Sequence, residues 1–462
     1  MDPREFVAAA AALCSGALAA FVLTNPRTDA WAVYASDREL DRWLSSQPTG
    51  VVVGAILAVL VVGSLQRAGS RRRAWFGALV AVGVLALARW AVTHVGSIDS
   101  LIALHLAKTA AAGALLGCAI AAVWTRDPRG TRGLARLAAP GRVAVTVGTA
   151  GTFLAAVAYR PSGASFPEPA RLSTSALGEP PVWLLVASAT ATVAALVVCG
   201  GRVQHPARRT LRFCLLAVLG LTVVHRVLGS WIEGREFSST TTLWVVVAIS
   251  LAVLCAATLV AARAVGRADG RFVLVATGVA AAAFPVAHDL RGPGEGPHFA
   301  LVAAVGFVAV AAGAVAALTL PRVRAQWGLA LAAVVLAVAA IAPDFGSDGP
   351  LLLTRLAVVG VGAGIALAAT FPGGAAVAAF GLALPFASFA LAAVASVPRT
   401  RVVYESAYSP MPYAPLTDSP VPTSTLTDHL VPVAMLVVVA FCAYYSSSVH
   451  QAEFMEPVED EQ

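Results

Sequence analysis

Residues 49–93 read TGVVVGAILAVLVVGSLQRAGSRRRAWFGALVAVGVLALARWAVT, which is two apolar runs joined by a short basic loop. An α-helix needs roughly 20 apolar residues to cross a hydrocarbon core about 30 Å thick, and each run approaches that length. The core holds no water to bond backbone N–H and C=O groups, so a chain can cross it only as helices or as a closed barrel. This stretch therefore predicts two transmembrane helices with a tight turn between them.

The same pattern fills nearly the whole chain of 462 residues. We predict fourteen transmembrane helices, at residues 7–24, 49–65, 74–93, 99–124, 139–158, 181–199, 211–231, 242–262, 272–288, 299–320, 327–343, 351–370, 374–397 and 428–447. The expected fold class is an all-α polytopic membrane protein, whose chemistry must take place inside a helix bundle or at its two mouths.

Composition excludes several classes of protein. Hydrophobic residues make up 58% and charged residues 12%, against about 25% charged in soluble proteins. The net charge of +7 does not indicate nucleic-acid binding, because the arginines lie in short loops between apolar runs. The six cysteines lie within apolar runs without CxxC or Cys/His spacing, so we expect no disulfide framework, no metal and no cofactor. A single lysine beside abundant Ala, Val and Gly is typical of a GC-rich, actinobacterial-like genome.

Loop charge predicts the orientation. Arginines concentrate in every second gap, at 66–73, 125–137, 200–210, 263–271 and 321–326, whereas the other gaps are longer and carry most of the acids. The excess of basic residues in cytoplasmic loops places both termini in the cytoplasm of a bacterial inner membrane. The acidic tail, 448–462, is then cytoplasmic, with disorder expected from residue 453. The loop at 398–427, rich in Pro, Ser, Thr and Tyr, lies outside as a spacer or a flexible flap.

The loop after the second helix reads Gly63-Ser-Leu-Gln66-Arg67-Ala-Gly69-Ser-Arg71-Arg72-Arg73. It resembles the loop between helices 2 and 3 of the major facilitator superfamily, which carries a Gly…Asp-Arg-x-Gly-Arg-Arg signature. The resemblance implies a conformational gate formed by Gly63, Gln66, Arg67, Gly69, Arg71 and Arg72. Gln66 stands where the family has an aspartate, which implies a weakened gate. An ordinary basic loop is the alternative.

Two further segments extend the resemblance. Residues 101–116 are similar to the family's fourth-helix run, with His105 and Lys108 in the places of its arginine and glutamine. Residues 351–372, rich in alternate glycines, resemble the matching helix of the fourteen-helix drug:proton antiporter branch, and Arg355 mirrors His105. The implied fold is two pseudo-symmetric six-helix bundles, 1–200 and 272–447, with two inserted helices at 201–271. Helix 5 lacks the Gly-Pro pair of antiporters, which argues against proton-coupled export.

Ionisable side chains within the apolar runs are the candidate site. Each costs about 2.5 kcal/mol or more at mid-bilayer, so each requires a partner, water or an extended path to the surface. Eight of them fall in the outer halves of their helices: Arg89, His94, His105, Lys108, His225, Arg226, His288 and Arg355. We predict that they form a basic chamber with Asp289 and Asp344 near its rim, and that His105, Lys108, Arg355, His225 and Arg226 bind substrate or protons. Snorkelling to lipid headgroups is the alternative.

The resemblance implies secondary transport by alternating access, in which an amphiphilic or anionic small molecule or lipid is exported. Membrane lipids and a coupled proton are the further partners that it implies. No enzyme motif is found. Two alternatives stay open. One is a non-transporting membrane scaffold derived from a transporter. The other is a lipid-linked glycosyltransferase that uses Asp29, Asp37, Glu39 and Asp41 of the first outer loop, although residues 37–42 read more simply as an amphipathic interfacial helix.

Overall fold

The structure is a computed structural model that describes residues 2–24, 37–94, 97–124, 140–159, 179–203, 208–233, 240–291, 297–320, 322–395, 404–406, 409–410 and 425–455. Its α-helices are α1 Pro3–Thr24, α2 Asp37–Ala68, α3 Arg71–Ala91, α4 Ile98–Val123, α5 Pro140–Ala155, α6 Val182–Val198, α7 Arg208–Glu233, α8 Thr240–Val265, α9 Arg267–Arg291, α10 Phe299–Thr319, α11 Ala325–Ile341, α12 Gly349–Ala369, α13 Ala375–Ala395 and α14 Thr425–Met455. Short 3-10 turns follow α3 and α5, at Val92–His94 and Ala156–Ala158.

All fourteen predicted helices are present, and the main differences lie at their ends. Helix α2 begins at Asp37, twelve residues before its predicted start at residue 49, so the proposed interfacial helix is continuous with the apolar one through Pro48. Helix α14 continues to Met455, so the first residues of the predicted disordered tail are helical. Strands β1 Tyr404–Ser406 and β2 Ser409–Pro410 pair in the loop at 398–427, residues 425–427 begin α14, and the remainder of the loop lies outside the described residues.

Length and apolar composition make this a multi-pass membrane protein. Within the described residues, ten helices are long and apolar enough to cross a membrane. Helices α6, α11 and α13 are equally apolar in character but offer only shorter stretches. Buried alanines, valines and leucines form one core that runs through nearly every helix.

Helix packing repeats itself in the two halves of the chain. In the first six helices, α1 packs on α4, α5 and α6, α2 packs on α4, and α3 packs on α4 and α6. In the last six, α9 packs on α12, α13 and α14, α10 packs on α12, and α11 packs on α12 and α14. Each contact in one set has its counterpart eight helices later. The fold is therefore two pseudo-symmetric six-helix bundles, the first bundle (α1–α6) and the second bundle (α9–α14).

Glycine allows the closest crossing within each bundle. A Cβ atom at Gly113 of α4 would overlap the backbone carbonyl oxygen of Gly54 in α2. In the second bundle, a Cβ atom at Gly364 of α12 would overlap the carbonyl oxygen of Val310 in α10. Small residues at such points let helix backbones approach closely. Close packing is what holds helices together in a membrane, because lipid tails are as apolar as the side chains and the hydrophobic effect does not drive association.

The inserted pair, α7 and α8, packs along one edge of the two bundles. Helix α7 contacts α2 of the first bundle and α13 of the second, and α8 contacts α9 and α14. The bundles meet each other mainly through two matching helix pairs, α2 with α13 and α5 with α10. We call the end that carries the loops at 66–73, 200–210 and 263–271 the basic end, and the other the opposite end.

Candidate functional site

An apolar pocket lies between the two bundles, in the half nearer the opposite end. The first bundle contributes Phe153 of α5, and α9 and α13 contribute the remaining lining residues, which are Ala280, Ala283, Phe284, Ala287, Phe386, Phe389 and Ala390. The rings of Phe153 and Phe386 stack across the bundle interface, with centroids 5.1 Å apart and planes 16° from parallel. The enclosed space is small, about 10 Å³, and its walls are aromatic rings and alanine methyl groups.

Two proline residues lie in the helices that line this pocket. Pro285 is inside α9 and Pro385 is inside α13. Proline has no backbone N–H, so it removes one helical hydrogen bond and allows the helix to bend at that point. Both interruptions fall next to lining residues, which places the most deformable points of these helices at the pocket.

A second set of contacts joins the two bundles at the basic end. The Trp124 indole N–H, at the end of α4, donates to the Pro372 carbonyl oxygen after α12, at 3.0 Å. The Trp124 ring is fully buried, meets Phe371 edge to face at 5.9 Å, and is covered by the Arg142 guanidinium at 5.1 Å. We call this group, Trp124, Arg142, Phe371 and Pro372, the Trp124 latch.

Aromatic rings join the two bundles near the opposite end. Tyr159, which follows α5, meets Phe299 at the start of α10 with ring centroids 5.1 Å apart. The other side of Tyr159 contacts Phe21 of α1, also at 5.1 Å. Between the two ends, α5 and α10 cross at Gly151 and Gly306, where a Cβ atom on Gly306 would lie 3.3 Å from the Gly151 carbonyl oxygen. The bundles are thus joined at both ends around the apolar pocket.

Lys108 and Arg89 belong to a charged cluster inside the first bundle. Arg89 of α3 pairs with Glu179 at 3.1 Å and donates to the Pro180 carbonyl oxygen at 2.8 Å. Lys108 of α4 is 5% exposed, and its charge acts on the same carboxylate. Burial raises the pKa of Glu179, and the positive charges of Lys108 and Arg89 oppose that rise. Arg89 therefore has a protein partner instead of reaching into headgroups.

Arg355 of α12 has its partners inside the second bundle. Its guanidinium pairs with Asp289 of α9 at 2.9 Å and donates to the Gly346 carbonyl oxygen at 3.0 Å. Gly346 has a φ of +74°, which favours glycine, and a Cβ atom there would lie 3.1 Å from Arg355 Cδ. The predicted nearness of Asp289 to the cations is thus found for Arg355. Each of the two predicted cations, Lys108 and Arg355, faces a carboxylate of its own bundle.

His105 lies where α4 crosses α2. Its imidazole packs against Gly50, since a Cβ atom on that glycine would overlap the ring. The Nε2 atom is buried and has no hydrogen-bond partner among the described residues. His105 therefore fills a helix crossing one turn before Lys108. The side chains of His225 and Arg226 lie outside those described, and only their place in α7 is known.

The residues of the predicted gate fall into two groups at the basic end. Arg71 is buried and pairs with Glu5 of α1 at 3.0 Å, inside the first bundle. Gln66 is also buried, and Gly63 faces Leu211 of α7 closely enough that a Cβ atom would lie 2.5 Å from its methyl group. The exposed members are Arg67 and Arg72.

Gly69 gives this loop its turn. It adopts a φ of +67°, and its carbonyl oxygen accepts from the Val203 N–H at 3.2 Å, while the Arg71 N–H donates to the Gly201 carbonyl oxygen at 3.1 Å. These two bonds tie the loop between α2 and α3 to the segment between α6 and α7. The predicted gate loop is therefore anchored within the first bundle and to the inserted pair.

The carboxylates proposed for glycosyl transfer form no described site. The side chains of Asp29, Asp37 and Asp41 lie outside the described residues. Nearby, Arg42 pairs with Asp99 of α4 at 3.9 Å with both groups exposed. Among the described residues, no group of three or more His, Cys, Asp or Glu side chains could hold a metal ion.

Sequence reasoning missed two carboxylates that organise the ends of helices. Glu179 precedes α6, and nothing in the sequence around Glu-Pro-Pro at 179–181 distinguishes it from an ordinary loop acid. Asp269, in the first turn of α9, accepts from the Gly373 N–H at 2.7 Å and so holds the chain just before α13. An acidic residue in the first turn of a helix predicts a favourable interaction with the N-terminus of that helix. It does not predict a hydrogen bond with a residue 104 positions away in the chain.

Comparisons with known proteins give transporters of low similarity. No family model matches the chain, and no curated protein matches it. An auto-inhibited peptide transporter of the POT family is similar in structure, at 13% identity and a TM-score of 0.48, covering 100% of this chain and 99% of that one. The xylose transporter XylE of E. coli, in a partially occluded inward-open conformation, is 12% identical with a TM-score of 0.45, and the match covers 95% of each chain. The E. coli fucose:proton symporter FucP is 15% identical with a TM-score of 0.36, and the match covers 94% of this chain and 98% of that one. Likeness at this level carries no argument about activity.

Proposed function

We propose that this protein is a secondary transporter of the major facilitator type, which moves an amphiphilic or anionic small molecule or lipid by alternating access. The observation that carries the proposal is the doubled six-helix packing with a pocket at its interface. Two similar bodies that meet around a shared pocket can rock about it, which exposes the pocket to one side at a time.

The contacts at the two ends support the rocking mechanism. The Trp124 latch joins the bundles at the basic end, and the rings of Tyr159 and Phe299 join them at the opposite end. Opening toward either side requires only one of these contact sets to separate. Each set consists of a few contacts. The free energy lost when one set separates therefore falls within the few kcal/mol by which interconverting conformations differ.

The lining of the pocket supports an amphiphilic substrate. Phe153, Phe284, Phe386 and Phe389 offer aromatic faces to an apolar body. His105, Lys108 and Arg355 are our proposed contacts for the polar group or for a coupled proton, and Lys108 and Arg355 reach it by exchanging their present partners. Their predicted outer-half positions, and the burial of Lys108 and Arg355, favour such a role, because an ionisable group inside a membrane helix usually serves function.

Export is the proposed direction, from the cytoplasm of a bacterial inner membrane with both termini inside. The basic loops are the reason for this orientation, through the positive-inside rule, and the resemblance to the drug:proton antiporter branch is the reason for the direction. The proposed moving bodies are residues 1–200 and 272–447, with residues 201–271 as the inserted pair. The loops 66–73 and 321–326 are the hinges on the cytoplasmic side, and the loop at 398–427 lies outside.

A ligand-stabilisation screen tests the proposal. The purified protein is screened in neutral nanodiscs against anionic lipids and amphiphilic drugs, and the best ligand is then assayed for movement in proteoliposomes. Phe386→Ala is expected to weaken its binding at least fivefold, because the ring loses its contact with the ligand. Phe76→Ala is the matched control, since that ring is 59% exposed on the outside of α3. Lys108→Ala is expected to impair transport of an anionic substrate.

Two outcomes would count against this function. Binding that is equally weakened by Phe386→Ala and Phe76→Ala would remove the pocket from the site. Ligand binding without any movement across the bilayer, together with co-purification of a partner protein, would favour a membrane scaffold instead.

A further inference from the structure

A single peptide group belongs both to the Trp124 latch and to the contact at the base of α9. Its C=O is that of Pro372, which accepts from the Trp124 indole N–H at 3.0 Å. Its N–H is that of Gly373, which donates to the Asp269 carboxylate at 2.7 Å. Trp124 belongs to the first bundle and Asp269 to the second. A path of two hydrogen bonds therefore connects the bundles through this one peptide group.

The two hydrogen bonds of this peptide group depend on each other. A peptide unit is planar and almost always trans, so its C=O and N–H point in opposite directions within one plane. When Asp269 holds the N–H of Gly373, it also directs the C=O of Pro372 toward Trp124. Hydrogen bonds in a chain polarise one another and strengthen each other by about 10–30%. The carboxylate charge therefore strengthens the bond that Trp124 makes.

The surrounding packing keeps the carboxylate in this place. A Cβ atom at Gly373 would lie 3.6 Å from Asp269 Oδ1, and one at Gly374 would lie 3.4 Å from Oδ2, so both oxygens lie beside the glycine pair. The next residue, Gly270, is so close to α8 that a Cβ atom there would overlap a backbone carbonyl oxygen. Residues 370–374 lie between α12 and α13, outside any helix. A carboxylate fixed on a packed helix thus orients a segment between helices.

We propose that Asp269 is a positioning residue for the Trp124 latch, which orients and polarises the Pro372–Gly373 peptide group and so keeps the basic end closed. Helix α9, which carries Asp269, also lines the apolar pocket with Phe284 and three alanines. The latch is therefore tied to a helix that contacts the proposed substrate. This role in transport rests on the proposed function, whereas the effect on the latch itself does not.

Asp269→Asn in the full-length protein tests the proposal. Asparagine keeps an oxygen acceptor of similar size but has no charge, and hydrogen bonds to ionised groups are about twice as strong as neutral ones. Spin labels at positions 67 and 322, both exposed, report the distance between the bundles at the basic end in nanodiscs, after the native cysteines are replaced. The ratio of open to closed populations is expected to rise at least about threefold. An unchanged ratio would overturn the proposal.

A second background separates action on the latch from general stability. Trp124→Phe has no indole N–H to donate to the Pro372 carbonyl oxygen. Adding Asp269→Asn to Trp124→Phe is therefore expected to change the ratio less than about 1.5-fold, since two residues that act through one contact are not additive. Equal effects of Asp269→Asn in both backgrounds would show that the carboxylate only stabilises the start of α13, and would overturn the proposal.

Asp2→Asn is the matched control for charge. It removes a carboxylate from the same end of the protein, but Asp2 is exposed and accepts from the neighbouring Arg4 N–H at 2.9 Å. The ratio of open to closed populations is expected to stay unchanged. A rise equal to that of Asp269→Asn would assign the effect to the surface charge of the basic end, against the proposal.

Gly373→Pro tests the same contact from the other side, and it decides if Asp269→Asn does not fold. Proline has no backbone N–H, so the carboxylate remains but its donor is lost. The open population is expected to rise as in Asp269→Asn. Gly373→Ala keeps the N–H, its Cβ atom makes only ordinary contacts, and it is expected to leave the ratio unchanged. Equal ratios for the proline and alanine variants would refute the role of this hydrogen bond.

Labels at positions 99 and 345 distinguish this proposal from the proposed function. If Asp269→Asn opens the basic end while the distance at the opposite end stays the same, alternating access is refuted and the role of Asp269 stands. If Trp124→Phe opens the basic end and Asp269→Asn does not, the role of Asp269 is refuted and the proposed function stands.

Discussion

Replacing Gly113 by alanine adds a single methyl group at the tightest crossing of the first bundle. That methyl group would overlap the carbonyl oxygen of Gly54, a backbone atom of α2 that can move only with its helix. Overpacking of this kind costs about 1–3 kcal/mol, whereas alanine is better than glycine within a helix by about 0.5–1 kcal/mol. We expect a net destabilisation of about 1–2 kcal/mol.

Gly83→Ala is the matched control, because a Cβ atom at Gly83 of α3 meets nothing within 4 Å. This control is expected to be neutral or slightly stabilising. Gly364→Ala, at the corresponding crossing in the second bundle, is expected to cost as much as Gly113→Ala. The midpoint of unfolding by a denaturing detergent, followed by tryptophan fluorescence, measures all three. Equal midpoints for Gly113→Ala and Gly83→Ala would refute the close crossing, and a neutral Gly364→Ala would refute its repetition.

Three further changes probe the latch and the buried charges. Trp124→Phe removes the indole N–H but keeps a ring, so it is expected to weaken the closed basic end by about 1 kcal/mol and to increase labelling of cysteines introduced there. Asp289→Asn leaves the Arg355 charge buried and is expected to destabilise the protein by about 3 kcal/mol in detergent unfolding, while Asp99→Asn changes little. Because the pKa of Glu179 is raised, the folded protein holds its proton to higher pH than the unfolded chain does. The contribution of Glu179 to the free energy of unfolding therefore falls as pH rises from about 4.3, the pKa in the unfolded chain, through the pKa in the folded protein. Glu179→Gln is expected to reduce this dependence of the free energy of unfolding on pH.

The fold was largely predictable from the sequence because apolar length alone decides where helices cross a membrane. The prediction was least accurate at α2, where Asp37–Gln47 is polar enough to read as a separate interfacial helix but continues into the apolar one. Hydropathy does not register such continuity, since it measures the solvent a residue prefers and not the backbone conformation.

The candidate site was predictable in its cations and in one of their partners, since Asp289 was expected near them and Glu179 was not. Lys108 and Arg355 stand out in the sequence because a charge inside an apolar run is rare. Glu179 and Asp289 lie at run ends, where acids are common, and their pairing depends on which helices become neighbours. The Trp124 latch was equally invisible, because its two halves are 248 residues apart.

Distances between the two bundles, measured at both ends in the same preparation, test alternating access most directly. Spin labels at positions 67 and 322 report on the basic end, and labels at 99 and 345 report on the opposite end, after the native cysteines are replaced. All four positions are exposed. Two populations are expected, in which the basic-end pair is far apart when the opposite-end pair is close, and Trp124→Phe is expected to shift the balance toward the open basic end. A single unchanged distance at each end, with and without ligand and in both proteins, would contradict the account.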